Sequence, residues 1–468
     1  MPTLPQAATY QPETAILSLG DAFYDPVEAA DFPQTILRFR NNRWAPAVGL
    51  EGLSDEEWIR HFGRFAPLPD NLPQPLALRY HGHQFRSYNP DIGDGRGFLF
   101  GQARDGAGRL LDFGTKGSGQ TPYSRFGDGR LTLKGGVREV LATEMLEALG
   151  VETSKTFSLI ETGEALERGD EPSPTRSAVL VRLQHSHIRI GTFQRLAYFE
   201  QAEEMRRLAD YCLRYYYGEE PGEEAPARLL ACFVPAAAEL AASYIAAGFV
   251  HGVLNTDNIA ITAQSFDYGP WRWSPLWDGA FTAAYFDHAG LYAFGRQPEA
   301  IHWNSVQLAR ALASISTVEA LQPSLETFPD TFQRALVRSI FWRLGIEPSE
   351  HERDSALLVA LETALARKTV EIDRFFFDWR GGRGRGPSPA DAAYDEEAFA
   401  ELGQLLGDYV PVPGALDHPY WLDEAPCSMH IDEVEAIWSR IDADDDWSAL
   451  EAKVAAARRM GEALRGAA

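Results

Sequence analysis

The chain has 468 residues, 45% of them hydrophobic and 24% charged, which excludes a disordered or collagen-like protein. Asp and Glu number 67 against 43 Lys and Arg, for a formal net charge of −24. So acidic a surface repels a nucleic-acid backbone and an anionic membrane, and we expect neither as a partner. The first residues lack the basic and apolar regions of a signal peptide, so we expect a cytoplasmic enzyme or binding protein.

Charge is unevenly distributed along the chain. Between Arg79 and Arg138 there are ten Lys or Arg and five Asp or Glu, whereas eighteen acids and five bases follow from Asp391 onward. A basic island in an acidic chain suits a small polyanion such as a nucleotide. A solvated positive face explains the charge alone equally well.

Short strands and tight glycine turns are predicted in the first part of the chain. Residues 1–75 form an N-terminal extension with a helix at 54–65, where Ser54 is a suitable N-cap. A helix at 137–149 carries an apolar face and stops at Gly150. The strands predicted in this part are 98–102, 110–116 and 178–183.

Long helices dominate the sequence after about residue 196. The most apolar segment, 229–254, contains Pro235, Glu239 and His251, and we expect it not to span a membrane. The Gly- and Pro-rich stretch 381–389 is the clearest linker, and an acidic helical tail follows it. The helices predicted here are 198–217, 224–248, 303–316, 328–344 and 354–369.

Strands followed by helices predict an α+β fold of two lobes with a cleft between them. We divide the chain into an N-terminal extension, a strand-rich N-lobe, a helical C-lobe and an acidic tail. The boundaries are 1–75, 76–195, 196–385 and 386–468.

A glycine-rich turn, Gly93-Asp-Gly95-Arg96-Gly97, precedes the strand at 98–102. Glycines let backbone N–H groups approach phosphates, and Arg96 adds positive charge. A plain turn is the alternative interpretation of this motif by itself.

Lys116 ends a predicted strand, and a second glycine turn with Asp128 and Gly129 leads to the helix that carries Glu139. Protein kinases use a strand lysine and a helix glutamate in this order to hold nucleotide phosphates. An ordinary surface lysine and glutamate are the alternative. Asp112-Phe-Gly spells the kinase metal motif, but it lies inside a strand and before the catalytic-loop candidate, so we exclude it.

The segment from His251 to Asp267 matches the catalytic region of kinases most closely. The kinase loop reads His-Arg-Asp-Leu-x-x-x-Asn and is followed by Asp-Phe-Gly. His251 and Leu254 match it, Asn258 takes the place of the metal-binding Asn, and Asp267 takes that of the metal-binding Asp.

The catalytic aspartate of kinases is replaced here by Val253, which cannot accept a proton. An additional carboxylate, Asp257, stands beside Asn258, and the apolar residues 259–261 predict a strand after it. The usual base that activates a hydroxyl is therefore missing, while the metal-binding pair is retained.

Arg182 and Arg189 flank the sequence Gln-His-Ser-His. Seven residues apart on one strand they would face opposite ways, so a turn at His185–His187 is needed for both to reach one triphosphate. Neither these histidines nor those of His81-Gly-His83 have enough neighbouring ligands for a metal site.

The chain resembles the selenoprotein O (SelO, YdiU-type) protein adenylyltransferases. The resemblance extends over about residues 15 to 380 and is weaker in the tail. This resemblance implies a protein-kinase-like fold without the kinase base, with ATP bound in a flipped orientation. It also implies transfer of AMP to Ser, Thr or Tyr hydroxyls of proteins, with Mg²⁺ or Mn²⁺. The motifs that carry it are His81-Gly-His-Gln-Phe85, Gly93-Asp-Gly-Arg96, Asp112-Phe-Gly-Thr-Lys-Gly-Ser-Gly-Gln-Thr-Pro-Tyr-Ser-Arg125, Gly127-Asp-Gly-Arg130 and His251-Gly-Val-Leu-Asn-Thr-Asp-Asn258.

The resemblance also implies roles for individual residues. Glu139 would hold Lys116, Asp257 would accept the proton, and Asn258 and Asp267 would bind the metal. Two alternatives stay open: a kinase-type phosphotransferase, against which Val253 argues, and a nucleotide-binding pseudokinase scaffold, which needs no metal ligands. The implied nucleotide contacts are Gly93, Gly95, Arg96, Lys116, Asp128, Gly129, Arg182 and Arg189.

The cysteines depart from the pattern of this family. Many members carry a cysteine or selenocysteine close to the C-terminus, and in some bacterial members it pairs with a cysteine after the metal-binding aspartate. Here residues 267–300 contain no cysteine. We therefore expect Cys212, Cys232 and Cys427 to be free thiols.

Overall fold

The computed structural model describes residues 6–169 and 171–466, which form a mixed α/β structure. The strands are β1 (Pro12–Glu13), β2 (Tyr24–Pro26), β3 (Ile36–Arg40), β4 (Leu76–Leu78), β5 (Gly82–Gln84), β6 (Ser87–Asn89), β7 (Leu99–Arg104), β8 (Leu110–Lys116), β9 (Leu131–Thr132), β10 (Lys155–Leu166), β11 (Thr175–Gln184), β12 (Phe249–Val250) and β13 (Arg272–Trp273). The α-helices are α1 (Asp55–Phe62), α2 (Leu133–Ala148), α3 (Ile190–Tyr198), α4 (Ala202–Cys212), α5 (Ala225–Ala247), α6 (Gln297–Leu312), α7 (Val318–Glu326), α8 (Phe328–Leu344), α9 (His351–Leu365), α10 (Ile372–Asp378), α11 (Asp391–Tyr394), α12 (Glu397–Leu406), α13 (Ile431–Asp444) and α14 (Ser448–Arg465).

The main sheet of the described residues is antiparallel and has the strand order β2-β4-β7-β8-β11-β10-β3, with β1 paired to β7 and β9 to β11. In the register of β8 and β11, Lys116 lies opposite Leu180 and Gly114 lies opposite Arg182. Because side chains alternate between the faces of a sheet, Lys116 and Arg182 project from the same face.

Helix α2 joins the sheet to the C-terminal helices. Its packing partners include β10, β11, α13 and α14. Gly461 of α14 lies so close to α2 that a Cβ there would be 2.9 Å from the Cα of Ala148. The acidic tail therefore packs against the helix that carries Glu139.

Several predicted elements are confirmed. The helix at 54–65 is α1, which Ser54 caps by accepting from the backbone of Glu57 while the Glu57 side chain bonds back. The predicted strands correspond to β7, β8 and β11, and the predicted helix 328–344 is α8. The segment 224–248 likewise forms α5.

Other predictions of local structure are wrong. The helix predicted at 198–217 begins only at Ala202, as α4, and continues as a π-helical turn over Leu213–Tyr217. Tyr198 belongs instead to the end of α3, and Glu200, with a left-handed φ of 55°, separates the two helices. The helix predicted at 137–149 is present as α2, but its start is wrong: it begins at Leu133, since the Thr132 side chain caps the N–H of Gly135. The long strand β10 was not predicted.

Helix α5 is long and apolar enough to cross a membrane by length and composition alone. However, 67% of its most apolar window is buried inside the protein. Core helices of globular proteins have the same character, so α5 gives no evidence of a membrane span.

Candidate functional site

A cleft of about 700 Å³ contains most of the predicted site residues. Glu139 and Asn258 are absent from its lining, and Asp94 and Tyr123 belong to it although the sequence did not single them out. The predicted residues that line it are Gly93, Gly95, Arg96, Lys116, Asp128, Gly129, Arg182, Arg189, Asp257 and Asp267.

Lys116 is the centre of an ion-pair network. Its Nζ lies 2.7 Å from Oε2 of Glu139 and 2.9 Å from Oδ1 of Asp267. Arg182 approaches the same two carboxylates at 3.8 and 3.6 Å. The predicted pairing of Lys116 with Glu139 is thus present, and Glu139 contacts the lysine without itself lining the cleft.

Asp267 faces several cations at once. Burial by itself would raise the pKa of Asp267, but Lys116, Arg182 and Arg189 outweigh it and hold that pKa well below its usual range. Its backbone is left-handed, with a φ of 61°, which Asp tolerates better than most residues. In this conformation the carboxylate of Asp267 lies beside Lys116.

Arg182 and Arg189 reach the same cleft because the chain turns between them. Strand β11 ends at Gln184, and Arg189 is the N-cap residue of α3. Nε and Nη1 of Arg182 and Nε of Arg189 are buried and make no hydrogen bond. Buried guanidinium donors without partners favour an anionic ligand, since leaving them unpaired is costly.

Asp94 is the clearest residue that sequence reasoning missed. Its Oδ2 accepts from Nε2 of His187 at 2.8 Å, and its Oδ1 lies 3.2 Å from Nη2 of Arg189. Asp94 also accepts from the backbone of Leu78 at 3.0 Å. An acidic residue between two glycines and beside an arginine was the available signal.

The glycines of the 93–97 turn are needed for packing. A Cβ on Gly95 would lie 2.9 Å from the carbonyl oxygen of Tyr123, and one on Gly97 would collide with the carbonyl of Thr115. These contacts hold the turn against the segments 115–116 and 123–124. The structure therefore shows a packing role for these glycines. The approach of their backbone N–H groups to a phosphate stays a prediction.

The second glycine turn places Gly129 with a φ of 70°, pressed against the backbone of Gly119. Asp128 is exposed, and its carboxylate binds Arg168 at 2.8 Å and the N–H of Arg130 at 2.9 Å. Asp128 thereby closes the turn from the solvent side.

The segment 251–258 is held by side chains around it. Nε2 of His251 lies 2.9 Å from the carbonyl of Phe266, next to Asp267. The side-chain amide of Asn258 donates to the carbonyl of Val253 at 3.0 Å, a bond that does not use its amide oxygen. The predicted strand at 259–261 is only an isolated bridge between Ala260 and Arg189.

Asp257 lines the same cleft, where its backbone carbonyl accepts from Nη1 of Arg189 at 3.1 Å. Its Oδ1 is buried without a hydrogen-bond partner. Burial raises the pKa of Asp257 to about 6, against the opposing effect of Arg189 and with a further contribution from Asp267. A carboxylate in this environment is suited to accept a proton from a hydroxyl.

Oxygen donors in and beside the cleft fit a hard divalent cation. Among the described residues no group of three or more His, Cys, Asp or Glu forms a metal cluster. Mg²⁺ is commonly held by one or two carboxylates together with substrate phosphates. The carboxylate of Asp267 in the cleft and the amide oxygen of Asn258, which the bond to Val253 does not use, suit it.

The histidine pairs and Asp112 have other partners. His83 bonds Gln194 at 2.7 Å, and His81 bonds Tyr88 at 2.8 Å. Asp112 lies within β8, where it accepts from Gln102 and from the backbone of His187, each at 2.7 Å. Its exclusion from the metal site agrees with this position.

Comparison with known proteins identifies the chain as an enzyme of the nucleotidyltransferase class. Relatives named protein nucleotidyltransferase YdiU include one from Synechocystis sp., 51% identical over 94% of this chain and 95% of the relative. Another from Synechococcus elongatus is 42% identical over 99% of this chain and 98% of the relative. A third, from Gloeobacter violaceus, is 44% identical over 93% and 92%.

A sequence profile identifies the family to which the chain belongs. The profile described as protein adenylyltransferase SelO matches residues 6–388. The chain belongs to this family.

Proposed function

We propose that the protein transfers AMP from ATP to Ser, Thr or Tyr hydroxyls of other proteins and releases pyrophosphate. The observation that carries the proposal is the presence, in one cleft, of cationic Lys116, Arg182 and Arg189 together with Asp257, whose Oδ1 makes no hydrogen bond. We further propose a kinase-like arrangement in which the sheet forms an N-lobe and the helices a C-lobe, in a cytoplasmic enzyme.

The cations suit the departing pyrophosphate. Attack on the α-phosphorus leaves negative charge on the β- and γ-phosphates, and preorganised donors stabilise charge where it develops. Lys116, Arg182 and Arg189 are fixed before substrate arrives, since each contacts a buried carboxylate or carbonyl. Gly93, Gly95, Arg96, Asp128 and Gly129 complete the nucleotide contacts.

Asp257 is the proposed acceptor of the hydroxyl proton. Its raised pKa and its free Oδ1 both favour a bond to an incoming hydroxyl. Val253, at the position of the kinase base, offers no such group. The proposed proton acceptor therefore lies four residues further along the chain than the catalytic aspartate of kinases.

A divalent cation completes the proposed site. Asn258 and Asp267 would hold Mg²⁺ or Mn²⁺, which when bound neutralises phosphate charge. Asp267 would then exchange part of its present contact with Lys116 for the metal, and Lys116 would retain Glu139.

Two other functions remain as competitors. A kinase-type phosphotransferase requires a base where Val253 stands, and a scaffold needs neither Asn258 nor Asp267. Incubation of the protein with ATP labelled at the α- or the γ-phosphate, with and without Mg²⁺ or Mn²⁺, separates all three. We expect covalent α-label that requires metal; γ-label alone would establish a kinase, and no label would favour the scaffold.

A further inference from the structure

The hairpin β5–β6 has an unusual turn. Its two central residues, Phe85 and Arg86, have φ values of 50° and 63°. Two-residue turns with two left-handed residues ordinarily use Asn, Asp or Gly. Strained backbone of this kind persists only where the surrounding structure holds it in place, and it clusters at ligand clamps.

The hairpin is tied to the segment that carries Asp257. The N–H of Phe85 donates to Oδ1 of Asn255 at 2.9 Å, and the N–H of His83 donates to the Thr256 hydroxyl at 2.7 Å. Gly82 is so close that a Cβ there would be 2.9 Å from Oδ1 of Asp257. The position of the hairpin tip is therefore fixed relative to the proposed proton acceptor.

Exposed aromatic rings extend outward from this tip. The ring of Phe85 lies 5.8 Å from that of Phe286, which lies 5.1 Å from that of Tyr285. Their exposed fractions are 37%, 43% and 79%. On its inner side Phe85 packs against Tyr292, whose hydroxyl donates to Asn255 at 2.8 Å. Exposed clusters of aromatic residues mark surfaces that bind other proteins.

Positive charge borders these rings. Arg86 and Arg296 both contact the one carboxylate of Glu299, at 2.7 and 3.3 Å. Asp287, next to Phe286, is buried, and both its carboxylate oxygens accept from backbone N–H groups. The exposed charges beside the rings are therefore two guanidinium groups that share one carboxylate, which leaves a positive surplus toward the solvent. An acidic side chain complements this border.

We propose that the aromatic surface of Phe85, Tyr285 and Phe286 docks the polypeptide segment that carries the acceptor hydroxyl, and that it selects an aromatic and an acidic side chain near that hydroxyl. The inference rests on the proposed transfer to proteins. The hydroxyl must reach Asp257, and Phe85 of this surface is hydrogen-bonded to Asn255, two residues before Asp257. An extended peptide advances about 3.3 Å per residue, so the selected side chains lie a few residues from the hydroxyl.

Direct binding of two fluorescein-labelled peptides tests this surface. Each peptide has a single central Thr; one carries Phe three residues and Asp four residues to either side of it, and the other has Gly and Ser at those positions. We expect the full-length protein to bind the first at least tenfold more tightly by fluorescence anisotropy. The double variant Phe85→Ala/Phe286→Ala should lose most of this difference. Leu422→Ala, which removes an apolar side chain that is 87% exposed elsewhere, should stay within twofold of the original protein.

Two further measurements keep the test decisive. A nucleotide-induced thermal shift equal to that of the original protein shows that the double variant is folded, and Tyr285→Ala provides a second variant at the most exposed ring. Arg86→Glu should weaken binding of the Asp-containing peptide selectively.

Equal affinity for both peptides, or full affinity in the double variant, would overturn the proposal. So would concentration-dependent dimers that the double variant abolishes, because the surface would then bind a second copy of the chain. Peptide binding needs no transfer, so failure to attach α-label would refute the proposed function without affecting this result.

Discussion

Arg458, on the last helix, donates two hydrogen bonds to Glu144 on α2, at 2.7 and 2.6 Å. Glu144 lies five residues beyond Glu139, the partner of Lys116. Lys134 at the start of α2 likewise binds Glu435 of α13 at 2.7 Å. The acidic tail thus braces both ends of the helix that orients the lysine of the cleft.

Arg458→Ala should lower the free energy of unfolding by about 2–4 kcal/mol, because it leaves Glu144 buried without its partner. Chemical denaturation measures this change. Arg459→Ala is the matched control: its pair with Asp423 is exposed to solvent, so its loss should change the free energy of unfolding far less. Equal losses in the two variants would mean that the bond to Glu144 has no bracing role.

Lys116→Ala and Arg189→Ala should each weaken ATP binding by about tenfold or more, and Lys116→Met should be no better tolerated. Truncating one cation leaves triphosphate charge uncompensated in a buried cleft. Nucleotide-induced thermal shifts measure the effect, with Lys368→Met as a control outside the cleft. Unchanged shifts would remove both residues from the proposed nucleotide site.

Asp257→Ala should reduce turnover by about 10²–10⁴ with little change in ATP affinity, because its proposed partner is the acceptor hydroxyl. Asp267→Ala should abolish transfer through loss of the metal. Calorimetry and α-label transfer, measured on both variants, separate the two roles. If Asp257→Ala loses ATP binding as completely as Asp267→Ala, the separation is wrong.

The three cysteines are free in the structure. Burial raises the pKa of Cys427 to about 11 and that of Cys212 well above its ordinary value, so both thiols are poor nucleophiles at neutral pH. We expect activity that does not respond to reductants and three free thiols per denatured chain in a thiol titration. A Cys427 disulfide formed by diamide, with activity restored by reductant, would contradict this expectation.

The sequence by itself determined much of the local structure. Ser54 with Glu57 marks a helix start, because a capping box satisfies backbone groups that have no other partner. Lys116, Glu139, Asp257 and Asp267 were recognisable as candidates from residue type, order and spacing. The sequence also shows that Val253 replaces the kinase base.

Only the tertiary structure decided which groups meet. Asp94 holds Arg189 and His187 across 95 and 93 residues of chain, and Arg458 reaches Glu144 across 314. Local propensity carries no information about such contacts, since they form only when the sheet, α2 and the C-terminal helices pack together. The same holds for the surface around Phe85: its exposure and its distance from Asp257 result from long-range packing, which periodicity and spacing do not encode.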